Sequence, residues 1–190
     1  PSLSLDEAKK VTASFEGGFV PPPRTITDIT GILDQQERKD LETLGRMRVA
    51  ADKKPPVAGN AAELAMFYYE RGATSGHLGR GHQALADYNK AVELFKLSNN
   101  REMQAYALES AAYITSYFGN YSDSIKGVLK AIEVIKLIPG DYEELEENLV
   151  ATRLVLAAMA AEGGDYSLAE KALKRARPGV NIVRYSPYWT

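Results

Sequence analysis

The sequence predicts an all-α fold, an α-α superhelix of antiparallel helix pairs, and three observations predict it. A glycine that suits the turn between two helices recurs at Gly79, Gly119 and Gly164, at intervals of 40 and 45 residues. The residue types at fixed offsets from each glycine also agree. Pairs of residues that end helices follow at matching places, at Asn99–Asn100, Pro139–Gly140 and Pro178–Gly179. Recurrence of the same residue types at fixed offsets from a repeated turn glycine is the sequence signature of a helical repeat array.

The agreement between the repeats is one of side-chain size, which is what close helix packing requires. A small residue stands seven residues before each glycine and again five and twelve residues after it, and a larger one stands nine after it. Repeat by repeat, these residues are Gly72, Ala84, Ala91 and Tyr88; Ala112, Ser124, Ala131 and Val128; and Ala157, Ala169, Ala176 and Leu173. Two antiparallel helices need a small residue where their backbones approach and a large one in the next gap. Each repeat is therefore predicted to hold a helix A and a helix B, joined at a glycine that accommodates the left-handed backbone of a helix end.

The repeats divide the chain into three predicted parts. Residues 1–56 are a helical preamble with a proline-rich connector, with helices predicted over Leu5–Phe15, from Thr25 or Thr27, and up to about Ala51, and the connector at Pro21–Pro23. Residues 57–178 hold three helix pairs, at about 60–97, 101–138 and 141–177. Residues 179–190 form a C-terminal segment that we interpret as a truncated boundary.

Two predicted helix starts within the repeats have the spacing of a capping box, in which a side chain at the helix start and a Glu three residues later satisfy each other's backbone N–H groups. They are Asn60 with Glu63 and Ser167 with Glu170. The sequence therefore predicts that a helix begins at each of them.

Composition excludes several classes of function. The chain has 190 residues, a formal net charge of −2, 45% apolar and 25% charged residues, and no cysteine. It therefore lacks the basic excess of a nucleic-acid-binding protein, and neither a disulfide framework nor a thiolate metal site is open to it. No apolar stretch reaches the roughly 18 residues that a membrane span needs. The compartment stays open between cytoplasm and, if a leader was removed, export.

The ordered small and aromatic residues over Asn60–Arg177 resemble the tetratricopeptide repeat. The usual period of that family is about 34 residues, so the longer spacing here implies helices longer by one or two turns. The family often carries a tryptophan early in helix A, where this chain has Tyr68, Leu108 and Arg153. The resemblance implies a right-handed solenoid that binds a protein or peptide on its concave face.

The resemblance also implies which residues line that face, because in the family the A helices do so. Carried over position by position, the partner-binding residues are Tyr69, His77, Tyr106, Glu109, Tyr113 and Tyr117. Tyrosine suits binding, since it offers a large apolar area, a polar tip and few rotamers to lose. The alternative that any one of these tyrosines packs between helices as core stays open. Chaperone-binding members of the family clamp a terminal carboxylate with Lys and Asn side chains. Here Tyr69 and Ala73 stand where the first of those clamp residues would be, so the acidic tails of chaperones are not predicted ligands.

Features that could indicate an enzyme have simpler structural readings. The glycine-rich stretch Gly72–Gly81 lies at a helix end and turn, whereas a phosphate-binding loop follows a strand. His77 and His82 have no acidic or cysteine partner at metal-ligand spacing, so we interpret them as surface or groove residues. The sequence predicts no catalytic residue, no metal site and no cofactor.

A second resemblance concerns the preamble. The motif over Phe19–Gln36 is similar to the region ahead of the repeats in large bacterial proteins that end in a CHAT (caspase-like) peptidase domain. It implies that this chain is the repeat scaffold of such a protein, so that its partner is another part of the same polypeptide. Two hypotheses follow, a protein-binding scaffold and a module that regulates or positions a downstream enzymatic domain. A helical pocket for a small apolar ligand is a third.

Overall fold

The structure, a computed structural model, describes residues 40–139 and 142–179. The predictions for Leu5–Phe15, for the connector Pro21–Pro23, for the helix from Thr25 or Thr27, for the motif Phe19–Gln36 and for residues 180–190 fall outside the described residues. The chain divides into two compact units, Pro1–Leu44 and Gly45–Thr190. Only residues 40–44 of the first unit are described, and they are helical.

Within the described residues, all regular structure is helical. Residues 40–51 form α1, which ends at Ala51 as predicted. It is followed by α2 (Ala61–His77), α3 (Gly81–Leu97), α4 (Arg101–Tyr117), α5 (Tyr121–Ile135), α6 (Tyr142–Glu162), α7 (Tyr166–Ala176) and a 3₁₀ turn (Arg177–Gly179). Consecutive helices from α2 to α7 pack on one another. The predicted all-α fold, an α-α superhelix of antiparallel helix pairs, is confirmed, and we call α2, α4 and α6 the A helices and α3, α5 and α7 the B helices.

The turn inside each pair has the left-handed residue that the sequence predicts. Gly79, Gly119 and Gly164 have φ values of 72°, 75° and 83°. In the first turn, the Arg80 N–H donates to the Ser75 carbonyl at 2.8 Å and the Gly79 N–H donates to Gly76 at 3.0 Å. These two bonds satisfy carbonyls that the helix end leaves free.

The turn between the first two pairs uses the same geometry with an asparagine. Asn99 has a φ of 56°, and the Asn100 N–H donates to the Phe95 carbonyl at 3.0 Å. Asparagine tolerates the left-handed region better than other non-glycine residues. The break predicted at Asn99–Asn100 is therefore confirmed, with a different residue performing the function of the turn glycine.

Side-chain caps fix where the helices begin, and one of the two predicted capping boxes forms. The Asn60 side chain accepts from the Glu63 N–H at 3.0 Å, and Glu63 accepts in return from the Asn60 N–H at 3.1 Å. The prediction for Ser167 with Glu170 is wrong, because α7 begins two residues earlier and Asp165 caps it by accepting from the Leu168 N–H at 3.0 Å. Asp165 directly follows the turn glycine and so is the first residue able to cap the helix.

The small positions are where A and B helices approach each other. A Cβ built on Gly72 would lie 3.1 Å from the Tyr88 ring, and one built on Gly127 would lie 3.0 Å from the Ala112 Cβ. All the small residues of the repeat pattern are buried. Among the larger ones Tyr88 and Val128 are buried, whereas Leu173 is 51% exposed. Tyr88 and Val128 each pack in a cluster with residues of the next A helix, and no described helix follows α7.

Neighbouring pairs stack through reciprocal contacts at their turn ends. A Cβ on Gly81, at the start of α3, would lie 2.9 Å from the Phe118 ring in the turn of the second pair. At the next junction the sizes are exchanged, since a Cβ on Gly163, in the turn of the third pair, would lie 2.8 Å from the Tyr121 Cβ at the start of α5. One aromatic residue and one glycine therefore fill each junction, on opposite partners.

The end of α1 is held against the first pair by polar contacts. Arg71 forms a two-pronged ion pair with Asp87, at 2.8 and 2.6 Å, and also donates to the Lys53 carbonyl at 2.7 Å. Arg80 pairs with Asp52 at 2.6 Å. Asp87 is 4% exposed, and a charge buried to that degree is stable only when paired. Removing the Arg71 guanidinium therefore affects both the A–B contact and the segment that precedes α2.

No helix of the described part of the chain is both long and apolar enough to cross a membrane.

We predict that the left-handed turn residues are replaceable by glycine and not by alanine. Gly119→Ala and Asn99→Ala are each expected to lower the free energy of unfolding by about 1 kcal/mol, because the Cβ of alanine makes the left-handed backbone conformation sterically unfavourable. Asn99→Gly is expected not to lower it. Urea unfolding followed by circular dichroism measures these changes.

The control is Gly45→Ala, at a helical position where an added Cβ meets nothing within 4 Å. That change is expected to leave stability unchanged or to raise it. Equal stability of Gly119→Ala and wild type would contradict the assignment of strain to the turn.

Candidate partner-binding groove

A groove of about 350 Å³ runs along the A helices. Its lining residues are Ala73, Gly76 and His77 from α2, Tyr88 from α3, Glu109, Ser110, Tyr113, Ile114 and Tyr117 from α4, and Val155 from α6. We call it the A-helix groove. Because it takes residues from the first helices of all three pairs, its walls depend on how successive pairs stack.

Four of the six residues predicted to bind a partner line this groove, namely His77, Glu109, Tyr113 and Tyr117. Tyr69 does not: it is partly buried between α2 and α3, with its ring centroid 5.6 Å from that of Tyr88 and 6.3 Å from that of Phe95. Tyr106 lies on α4 one turn before Glu109 and is 41% exposed, outside the groove lining. The structure thus brings His77, at the end of α2, together with the three predicted residues in the second half of α4.

The structure also adds residues that the sequence analysis did not assign to the groove. Ser110 follows the predicted residue Glu109 by one position, and Val155 follows Leu154, an inner-face position that the tetratricopeptide resemblance implies for the third A helix. The neighbouring helical position was therefore the available signal. Tyr88 was assigned to helix packing, and its ring both fills the space over Gly72 and forms part of the groove wall. A residue that packs between helices and also lines a groove has the same sequence pattern as one that only packs, so the sequence does not distinguish the two.

Tyr113 and Tyr117 form the exposed aromatic wall of the groove. They stand four residues apart on α4, which places them on one helix face. Their rings meet edge to face with centroids 5.3 Å apart, and the residues are 46% and 72% exposed. The pair therefore offers ring faces and hydroxyl groups to a partner without needing to rearrange.

Glu109 is the carboxylate of the groove, and a neighbouring A helix holds it in place. Its Oε1 accepts a hydrogen bond from the Thr152 hydroxyl of α6. Thr152 is 2% exposed and its hydroxyl also lies 2.9 Å from the Asn148 carbonyl. Partial burial raises the pKa of Glu109 above its ordinary value, and the hydrogen bond from Thr152 offsets part of that rise.

Further acidic groups lie close to this part of α4. The pKa of Tyr106 is raised, first by burial of its hydroxyl and then by the neighbouring carboxylates of Glu102, Glu109 and Glu147. Burial also raises the pKa of Tyr88. Both phenols therefore stay protonated at neutral pH and can donate hydrogen bonds.

His77, Ser110 and Glu109 all line the groove, and these are the residue types of a hydrolytic triad. Within the described residues, however, no hydrogen bond connects them. The His77 Nδ1 is 2.8 Å from the Ala73 carbonyl of its own helix, and Glu109 is bonded to Thr152. A triad requires the base to be bonded to the nucleophile and oriented by the acid, and the groove lacks that chain of contacts.

The two histidines, which the sequence analysis interprets as surface or groove residues, have different surroundings. The His82 ring stacks on Phe118 at a centroid distance of 4.6 Å, whereas His77 lines the groove. In residues 40–139 and 142–179, no group of three or more His, Asp or Glu side chains is placed to hold a metal ion.

The interpretation of the groove rests on the chain's own residues, because no known family model matches the sequence and no curated protein is significantly similar to it. The site is therefore defined by its geometry: an aromatic wall on α4, a carboxylate held by α6, and a floor formed with α3.

We predict that Glu109→Gln changes the pH dependence of stability. The folded-state pKa of Glu109 is raised, so its contribution is present below the ordinary value of about 4.5 and is lost as pH rises through the folded pKa. Glutamine keeps the shape and can still accept from Thr152, but it does not ionise. The stability of the variant relative to wild type should therefore increase from pH 4 to pH 7 in urea unfolding.

Asp123→Asn is the opposite-sign control. Hydrogen bonds from Lys126 and Asn120 lower the pKa of Asp123, so its contribution is present above about 3.8 and is lost as pH falls through the lowered value. Relative to wild type, this variant should lose stability as pH rises. A parallel response of the two variants would contradict the assigned environment of Glu109.

Proposed function

We propose that this chain is a non-catalytic protein–protein interaction scaffold, which binds a peptide or protein segment in the A-helix groove. The observation that carries the proposal is the aromatic wall of Tyr113 and Tyr117, which stands exposed beside the groove lined by all three A helices. Aromatic side chains with one apolar face and one polar tip are enriched where proteins bind one another.

The dimensions of the groove favour a chain segment over a compact small molecule. Its lining reaches from His77 on α2 to Val155 on α6, across three successive helix pairs. A ligand that touches all of it is extended along the stacking direction, as a peptide is. Helical repeat arrays bind extended partners in this way, because their binding surface grows with each added repeat.

The resemblance to the tetratricopeptide repeat supports the same function. The left-handed glycine turns, the buried small residues and the packing of A helices on B helices are what a repeat of that type needs. We therefore propose a tetratricopeptide-type scaffold from a bacterial protein, whose groove residues are His77, Glu109, Tyr113 and Tyr117, with Tyr69 and Tyr106 beside them.

A second candidate function is a module that regulates or positions an enzymatic domain of the same polypeptide. The motif over Phe19–Gln36 favours it through its resemblance to CHAT-domain peptidase proteins. The natural occupant of the groove is then another segment of the same chain. Reading the gene beyond Thr190 tests this directly: a peptidase domain with catalytic His and Cys supports it, and a stop codon there contradicts it.

We predict that the double variant Tyr113→Ser, Tyr117→Ser loses at least about nine-tenths of partner capture in an affinity pull-down from host lysate. Two central aromatic anchors commonly contribute about 1–2 kcal/mol each to an interface, and a loss of this size corresponds to roughly tenfold or more. Both side chains are exposed, so helicity by circular dichroism should not change.

Tyr166→Ser is the matched control, since Tyr166 is 73% exposed and begins a B helix outside the groove lining. It is expected to capture partners as wild type does. Undiminished capture by the double variant would show that the groove is not the binding surface.

A further inference from the structure

The carboxylate of Glu109 has no cationic partner among the residues that the structure describes. Its Oε1 is bonded to Thr152, and no described Lys, Arg or His side chain forms an ion pair with it. His77, which lines the same groove, is bonded through Nδ1 to Ala73 instead. A carboxylate taken partly out of water is costly unless a positive group or several donors compensate it.

The arginines of the A helices are all engaged outside the groove. Each described A helix carries one arginine and no lysine, and none of the three arginines lines the groove. Arg71 pairs with Asp87, and Arg101 donates to the Leu137 carbonyl at 2.6 Å. Arg153 donates to Glu146 and to the Arg175 carbonyl, both at 3.1 Å.

Glu109 lies near other carboxylates of the A helices and lines the groove together with aromatic rings. Glu102 and Glu147 act with Glu109 on the Tyr106 hydroxyl, and Glu162 acts on the hydroxyl of Tyr117. The rings of Tyr88, Tyr113 and Tyr117 line the same cavity as Glu109. Aromatic rings attract cations through their faces, and more strongly where water is excluded.

We propose that the A-helix groove binds its partner through a lysine or arginine side chain, which pairs with the Glu109 carboxylate beside the tyrosine rings that line the same groove. This inference rests on the proposed function and names the chemistry of the segment that the groove holds. Thr152 holds Oε1, which leaves Oε2 to receive the N–H of the incoming cation. The methylene stem of that side chain packs on the tyrosine rings and Ile114.

The opposite charge on the partner is disfavoured by the same residues. An acidic side chain in the groove would meet Glu109 with no described Lys or Arg to compensate it, and like charges brought together cost several kcal/mol at an interface. A neutral side chain of equal length would gain the ring contacts but leave the carboxylate desolvated. Charge complementarity therefore selects a basic segment.

The test uses four fluorescein-labelled peptide libraries of nine residues, with neutral residues at random positions and a fixed central Lys, Arg, norleucine or Glu. Fluorescence anisotropy measures their binding to the full chain, to Glu109→Gln, to the double variant Tyr113→Ser, Tyr117→Ser, and to Glu170→Gln. Glu170 is exposed on α7, away from the groove, so its variant controls for loss of one negative charge.

We expect wild type and Glu170→Gln to bind the Lys and Arg libraries at least about tenfold more tightly than the norleucine library, as a charged hydrogen bond contributes. In Glu109→Gln, that difference should fall below about threefold while binding of the norleucine library persists. The glutamine variant keeps the acceptor for Thr152, and unchanged helicity and thermal midpoint verify that it folds.

The failures of the two proposals are distinguishable. If wild type binds all four libraries equally, and the tyrosine variant weakens all of them, the cation inference is overturned and the scaffold stands. If no library binds, or if the tyrosine variant binds all of them as wild type does, the proposed function is contradicted as well. A competition experiment tests whether the cation comes from a peptide side chain. If free n-butylammonium displaces the Lys library at a concentration equal to the dissociation constant of that library, a peptide is not needed as the source of the cation, and this part of the proposal is overturned.

Discussion

The close approach of A and B helices at a small residue is the constraint on which the rest of the structure depends. A Cβ on Gly72 would lie 3.1 Å from the Tyr88 ring, tighter than ordinary van der Waals contact, so the ring would have to shift by a few tenths of an ångström to admit it. That contact sets the separation of α2 and α3 and at the same time places Tyr88 in the wall of the groove. Interiors packed to this density transmit any added volume into displaced helices. The packing of α2 on α3 and the wall of the groove therefore share one interaction.

Stacking of successive pairs follows a second size rule, in which an aromatic residue of one pair lies against a glycine of the next. At the first junction Phe118 of the second pair lies against Gly81 of the first. At the second junction the order is reversed, because Tyr121 of the second pair lies against Gly163 of the third. Such a pair of contacts specifies the neighbour, because two aromatic residues would overpack the junction and two glycines would leave it empty. The groove takes lining residues from all three pairs, so its shape depends on how those pairs stack.

The charges of the A helices are divided between two sides. Their arginines are engaged with Asp87, Glu146 and backbone carbonyls, where they hold the pairs together. The groove retains Glu109, whose only described polar partner is the uncharged hydroxyl of Thr152. Electrostatic complementarity governs which partner binds and how fast more than it governs total affinity. A groove with aromatic rings for contact area and one held carboxylate for selection fits that division.

Sequence by itself determined the features whose causes are local. The turn glycines, the break at Asn99 and the Asn60–Glu63 cap follow from backbone conformations and hydrogen bonds within about six residues. The buried small residues recur at fixed offsets from each turn glycine. The cap predicted at Ser167 was wrong because Asp165, two residues earlier, is also a capping residue type and caps the helix instead. Only the tertiary structure decided that Tyr69 packs against Phe95, that Tyr88 lines the groove, and that Thr152 reaches Glu109 from a different pair. Those contacts join side chains of different helices that are far apart in the sequence. The first lies within one pair, whereas the other two depend on how helices of different repeats stack, which no pattern within one repeat encodes.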